Sequence, residues 1–285
     1  MADSAAGNLA LVIGGETWVS YPRGMSFPAW FQRNYPFRGQ GIVSRLLYLM
    51  NKSCLDRLFL KKVEPPDVSD ELKSSVAFFW PSSKRSTMRF YGYRVKSGAV
   101  TEYLKLATTE EEKHVLAREA ENVKIAQSIS KGAFFVPGVV GIEKFGEVLA
   151  VRYQALPFNA TTCPVDDKWI GKVKSALKVI SDAGYMHGDF AWHNFKAVGD
   201  DLWILDWEEM RKSENPLSDE ICLECGLAHY WRHEPIVQVM DKFRMKYGGD
   251  AVTRAKAREA VDDLAKREIT MGAVLKTMLD KEGWQ

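Results

Sequence analysis

The stretch HGDFAWHN, His187 to Asn194, sets an Asp and an Asn in one short loop, and the LWILDWEE segment that follows carries a second Asp at Asp206. A carboxylate can take or orient a hydroxyl proton, and an Asn and a second Asp offer the hard oxygen ligands that Mg2+ requires. Those are the parts of a phosphoryl-transfer site, a reaction that needs little covalent help from a protein. It needs the phosphates held, metal charge between them and a carboxylate aimed at the attacking hydroxyl. Asp189 is the candidate for the last role, and Asn194 and Asp206 are the candidate metal ligands. His187 reads as a hydrogen-bonding brace of the loop rather than a proton carrier. Taken singly, these residues also fit plainer readings: HGD as a turn with a capping Asp, LDWEE as a strand end followed by solvated acids. Their order and spacing together favour the chemistry.

A phosphate site also needs a cation. Lys105 lies in YLKLA, near the end of a strand-like run, and a lysine pointing inward from a strand is costly unless an anion meets it. Glu119, in the helical LAREAEN segment, can fold back to set its carboxylate against that ammonium, with Glu121 as the alternative. Alone, the pair reads rather as a surface lysine and a solvated glutamate, since surface ion pairs are common and weak.

The elements that must position these residues follow from the apolar periodicity. LALVI and TWVSY, separated by Gly14-Gly15, predict a hairpin. From Gly41 the pattern turns helical, with Ile42, Leu46, Leu49, Met50, Leu55 and Leu58 on one face and Arg45, Lys52 and Arg57 between them. This basic amphipathic helix, over 41–62, either docks on the following domain or lies on an anionic membrane surface. EPPDVSDE, Glu64 to Glu71, then reads as a linker or a lobe entry. SVAFFW, TMRFYGYRV and AVTEYLKLA predict three strands. The TTEEEKHVLAREAENVKIAQSI segment predicts a helix capped at Thr108 or Thr109, and FVPGVVGIEKF and EVLAVRYQALP two more strands turning near Gly146. DDKWIGKVKSALKVISDAG predicts a helix with Ile170, Val173, Leu177 and Ile180 on one face and Gly184 at its end. FKAV and LWIL predict a hairpin with Asp206 at its exit, and helices follow from Leu217 onward. Strands with one helix first, then mostly helices, is an α+β order in two lobes. The expected division is an N-terminal extension over 1–70, a small antiparallel β-sheet lobe over 71–157 and a mostly helical lobe over 158–285.

The totals agree. At 285 residues, 46% hydrophobic and 27% charged, the chain is long enough for a substantial core. A formal net charge of +2 provides no strong field for nucleic acid. Cys54, Cys163, Cys222 and Cys225 form no secreted disulfide pattern, and Cys222-x-x-Cys225 lacks the second ligand pair of a zinc site, so it reads as a buried helix face. The first residues lack a signal-peptide pattern and no apolar run approaches ~18 residues, which makes a cytoplasmic location the expectation.

HGDFAWHN followed by LWILDWEE resembles the catalytic and metal motifs of the aminoglycoside phosphotransferase and choline kinase group, which share the protein-kinase-like fold. The resemblance is specific over 185–208 and architectural over about 75–285. It implies Asp189 as catalytic aspartate and Asn194 and Asp206 as Mg2+ ligands. It also implies Lys105 on the α- and β-phosphates of ATP, with Glu119 holding that lysine, and a hinge at Gln154-Ala155-Leu156 that hydrogen-bonds adenine through its backbone. The chain departs from the glycine-rich nucleotide loop: the corresponding turn is Pro81-Ser82-Ser83-Lys84-Arg85-Ser86, whose Ser82, Ser83 and Lys84 can still cover phosphates.

The acceptor is expected to be small. Protein kinases acting on Ser or Thr usually carry a Lys two residues after the catalytic Asp, and here that position is Ala191. Asp206 is followed by Trp207-Glu208, and no Ala-Pro-Glu follows. The C-terminal helices have near-balanced charge with His229, Arg232 and His233 near a Trp, which favours a sugar or a phosphorylated or lipid-linked saccharide over a strongly cationic antibiotic. The rival readings are a catalytically silent kinase-like scaffold and an atypical protein kinase.

Overall fold

The computed structural model describes residues 8–13, 16–22, 61–63, 68, 75–79, 89–96, 99–157, 159–213 and 215–283. The chain divides into two compact units, one of Met1–Ala120 with Gly138–Phe158 and one of Glu121–Pro137 with Asn159–Gln285.

The first unit is built on an eight-stranded sheet in the order β3-β1-β2-β4-β5-β6-β8-β7. Its strands are β1 (Asn8–Ile13), β2 (Glu16–Pro22), β3 (Lys61–Val63), β4 (Val76–Phe79), β5 (Arg89–Lys96), β6 (Ala99–Ala107), β7 (Val139–Phe145) and β8 (Val148–Gln154). Every pairing in it is antiparallel. Alternation along β6 sends Leu104 and Leu106 to one face, where they pack with Val76, Phe90, Val148 and Ala150. Lys105 and Tyr103 take the other. Helix α1 (Glu110–Ser130) follows β6. Thr109 caps it, its hydroxyl accepting from the Glu112 N–H, and three glutamates fill its first turn. Leu116, Ala120, Val123 and Ala126 form its buried face. The chain crosses from the first unit to the second within this helix, between Ala120 and Glu121.

The second unit holds helices α2 (Asp167–Asp182), α3 (Leu217–Gly226), α4 (Ile236–Tyr247), α5 (Ala251–Lys266) and α6 (Thr270–Lys281). It also holds a sheet ordered β12-β11-β9, from β9 (Thr161–Thr162), β11 (Phe195–Val198) and β12 (Asp201–Ile204). A two-stranded ladder joins β10 (Tyr185–Met186) to β13 (Arg211–Lys212). Its core gathers Ile221, Cys222 and Cys225 of α3 with apolar residues of α4, α5 and α6. Cys222 and Cys225 are free thiols, and burial pushes both well up from the ordinary range, as expected of an apolar helix face.

The α+β order is the one read from the sequence, with two differences. Residues 61 and 62, expected at the end of an amphipathic helix, are strand: Lys61, Lys62 and Val63 pair with Ala10, Leu9 and Asn8, so the β1 ladder takes their backbone groups. The remainder of that helix, 41–60, lies outside the described residues. Strands β1, β2 and β3, from the first 70 residues, join the same sheet as β4 to β8, pairings that the sequence left open. The buried face of α2 is Trp169, Val173, Ala176 and Ile180, rotated from the expected one because the bulkier Trp169 takes the inward position of the first turn. Among the described residues, no helix is long and apolar enough to cross a membrane.

Candidate active site

In the first unit, Lys105 on β6 meets Glu119 on α1. Nζ lies 2.7 Å from Oε1, and the two residues are 7% and 2% exposed. A buried ammonium without a counter-charge would cost several kcal/mol, so each side chain requires the other. The alternative partner, Glu121, sits in solvent and pairs with Lys124 one helical turn on.

In the second unit, the chain leaves the end of α2 through Gly184, whose φ of +77° suits glycine, and β10 leads it into the loop. His187 is fully buried. Its ring packs 4.5 Å from the Trp207 ring and meets Phe190 edge-on. Burial lowers its pKa and so keeps the imidazole neutral. One tautomer satisfies both ring contacts: Nε2–H donates to the Leu205 carbonyl at 3.0 Å and Nδ1 accepts from the Asp189 N–H at 3.3 Å. The ring therefore ties the Asp189 backbone to the residue before Asp206.

Gly188 has φ +93°, and a Cβ there would lie 2.5 Å from the Glu209 carbonyl oxygen. No other residue type passes at that separation. Phe190 and Trp192 then turn inward, Phe190 edge-on to Phe195 and Trp192 donating from Nε1 to the Cys163 carbonyl at 2.9 Å. These anchors leave Asp189 between them, its side chain 22% exposed.

Asn194 closes the loop. Its Nδ2 donates to the Asp189 carbonyl at 3.0 Å and to Asp189 Oδ2 at 3.2 Å. The Asn194 carbonyl accepts from the Leu205 N–H at 3.0 Å, extending the β11–β12 register by one residue and setting Asp206 just beyond. Asp206 itself adopts φ +66°, an uncommon conformation for a side-chain-bearing residue that clusters at functional sites. Burial raises the Asp189 pKa from the ordinary carboxylate value; the charge of Asp206 adds to this and the Asn194 bond opposes it.

The donor chemistry suits a divalent cation. With Nδ2 committed to Asp189, the Asn194 carboxamide presents Oδ1 elsewhere, and Asp206 supplies a carboxylate whose charge already bears on Asp189. Hard oxygens and excess negative charge are what Mg2+ binds.

Two residues were not anticipated from the sequence. Asp219, in the first turn of α3, is fully buried. Its two oxygens accept from the His187 N–H at 2.6 Å and the Gly188 N–H at 2.9 Å. Burial lifts its pKa to about 6, opposed by those two N–H groups and by Arg267 and Arg211. Asn122 of α1 donates to the carbonyls of Trp207 and Met210, holding the turn after Asp206. Both act on backbone atoms far away in sequence. The opening of α3, Leu217-Ser218-Asp219-Glu220, is polar apart from Leu217, so nothing in its pattern singles Asp219 out.

Of the remaining candidates, Ser82, Ser83 and Lys84 lie outside the described residues. At the expected hinge, the Gln154 N–H donates to the Gly138 carbonyl and the Ala155 N–H to that of Thr101. Among the described residues, that leaves the Leu156 N–H as the hinge donor not already engaged. His229 lies in a π-helical turn, Leu227–Trp231, its Nδ1 in contact with the Glu234 carbonyl.

No family model and no curated protein matches the chain. Among solved structures it is similar to a thermostable mutant of the aminoglycoside phosphotransferase APH(4)-Ia in apo form, at 12% identity and a TM-score of 0.46, over 70% of this chain and 91% of that one. A further mutant of that protein, in ternary complex with ADP and hygromycin B, matches at 11% identity over the same shares with a TM-score of 0.46. WbdD, in co-crystal with the kinase inhibitor LY294002, matches at 13% identity over 61% of this chain and 49% of that one, with a TM-score of 0.39. These are likenesses to phosphotransferase and kinase-inhibitor-bound structures, and at this depth they assign the chain neither an activity nor a substrate.

Proposed function

We propose that the chain is an ATP- and Mg2+-dependent phosphotransferase that moves the γ-phosphoryl group to a hydroxyl of a small molecule or saccharide, lipid-linked glycans included. The observation that carries this reading is the Asp189–Asn194 pair, a carboxylate oxygen and a carboxamide 3.2 Å apart in a loop pinned by His187 and Asp219. The buried Lys105–Glu119 pair supports it independently.

In the mechanism, the acceptor oxygen forms a bond to the γ-phosphorus as the bond from that phosphorus to the β-bridging oxygen breaks, and ADP leaves. Asp189 orients the acceptor hydroxyl and receives its proton. Its raised affinity for a proton, the result of burial, suits that task. Asn194 and Asp206 would hold Mg2+, which supplies charge stabilisation to the β- and γ-phosphates. Lys105, aligned by Glu119, positions the α- and β-phosphates, with Ser82, Ser83 and Lys84 covering them. The hinge Gln154 to Leu156 takes adenine. His187 braces the loop and moves no proton.

The reading is tested by ADP release from Mg-ATP across a panel of sugars, glycan precursors, aminoglycosides, choline and amino alcohols, with Asp189→Asn as the blank. Acceptor-dependent release that vanishes in the blank supports it. A flat panel with no nucleotide binding contradicts it.

A further inference from the structure

Beyond the residues that would touch substrate, the second unit contains a charged cluster that ends on the peptide preceding Asp189. Arg267, the residue closing α5, donates from its guanidinium to the Gly188 carbonyl. Its side chain is only 12% exposed. Asp263, one turn earlier on α5, aims it, with Oδ2 accepting from Arg267 Nη2 at 2.8 Å and Nε at 3.2 Å. The same carboxylate accepts from Arg211 at 2.6 Å and from the Ser218 hydroxyl at 3.1 Å. Arg211 stands on β13, opposite Met186 at the entry to the loop, and Ser218 precedes Asp219.

The Gly188–Asp189 peptide is therefore gripped on both edges. Its carbonyl accepts from Arg267 and its N–H donates to His187 Nδ1. The preceding peptide is held by Asp219 through the Gly188 N–H. Gly188, at φ +93°, has a backbone free to rotate, and rotation of this one plane would swing the Asp189 side chain. The His187 contact, at 3.3 Å, is a long hydrogen bond. The charge-assisted bond from Arg267 is the stronger restraint.

We propose that Arg267 is a positioning residue for Asp189. By holding the Gly188 carbonyl it fixes the peptide plane that aims the catalytic carboxylate, and it makes the end of α5, with Asp263 as its aligner, part of the transfer machinery. This rests on the phosphotransferase reading given above.

The test compares wild type with Arg267→Ala and Arg267→Lys in the full chain, at a temperature where thermal melts show all three folded. Mg-ATP with the best acceptor of the panel is the substrate. Misaiming a reacting group costs on the order of 100-fold. Arg267→Ala is expected to lower kcat by about that factor while the KM for ATP stays within about twofold, and Arg267→Lys, which keeps one charged donor, recovers part of kcat. Hydrogen exchange is read in parallel on a peptide spanning residues 187–191, where the amides of Asp189 and Ala191 should exchange faster in Arg267→Ala and be slowed again in Arg267→Lys. A lowered melting temperature with unchanged kcat overturns the proposal. So does unchanged exchange at these amides, even if the wild type turns over nothing. A silent wild type with Arg267-dependent exchange would instead refute the phosphotransferase reading and leave the grip on the loop standing.

Discussion

The two units hold their chemistry-bearing groups in opposite ways. In the sheet unit, Lys105 faces Glu119 in a buried contact between two charged side chains. In the helical unit, Asp189 is aimed indirectly: His187, Asp219 and Arg267 hold the backbone around it, and Asn194 holds both its carbonyl and its carboxylate. A buried charge pair is brittle, since losing either member leaves the other short of counter-charge in low dielectric. In a set of backbone grips each hydrogen bond holds one peptide, and loss of one leaves the others in place. The lysine needs only to present charge, whereas the aspartate needs a direction.

That contrast can be broken or sharpened by substitution. The largest loss is expected from Lys105→Met, which removes the ammonium from beside buried Glu119 and should cost about 3–5 kcal/mol of unfolding free energy in denaturant titrations. The double variant Lys105→Met/Glu119→Leu should be less destabilised than the sum of the two single changes. Additive single effects would remove the pair from the account.

Next comes Asp219, through pH. Its pKa rises from an ordinary 3.8 to about 6 on folding. Between those values the folded chain keeps a proton that the unfolded chain has released, so the contribution of Asp219 to stability falls as pH rises through that window. The difference of about two units corresponds to ~3 kcal/mol. Asp219→Asn has no such titration and leaves a backbone N–H poorly met. Its stability deficit against wild type should therefore be greatest near pH 4 and shrink by about that amount towards pH 7. A deficit that grows with pH would contradict the assignment.

Gly188→Ala should cost about 1–3 kcal/mol, from the positive φ and the blocked approach to Glu209. It should also reduce kcat more than nucleotide affinity, as measured by calorimetry. The smallest effect belongs to Glu121→Gln, which removes an exposed pair with Lys124 and should change stability by less than about 0.5 kcal/mol. A large loss there would transfer the Lys105 partnership from Glu119 to Glu121.

What could be read from the sequence divides along the same line. Lys105, Glu119, Asp189, Asn194 and Asp206 stand out because each is a polar residue at a regular offset within or beside an apolar run, and local spacing is what a sequence displays. Asp219, Asn122 and Arg267 do not, because their partners are backbone groups 31, 85 and 79 residues away, at Gly188, Trp207 and Gly188. A backbone acceptor has no residue type to recognise. The longer strands and helices from Val76 onward follow their periodicity, whereas the two-residue strands β9, β10 and β13 are too short to show one. Strand β3 escaped notice because three residues are too few to show alternation, and its place is set by pairing with β1.

The central claim is that Asp189 performs transfer, and the most direct measurement is ADP release from Mg-ATP by wild type and Asp189→Asn, with nucleotide affinity measured on the same samples. The account predicts that release falls by about 100-fold or more, the scale of a lost general base, while affinity for Mg-ATP changes by no more than about threefold. Equal release from the two proteins would contradict it.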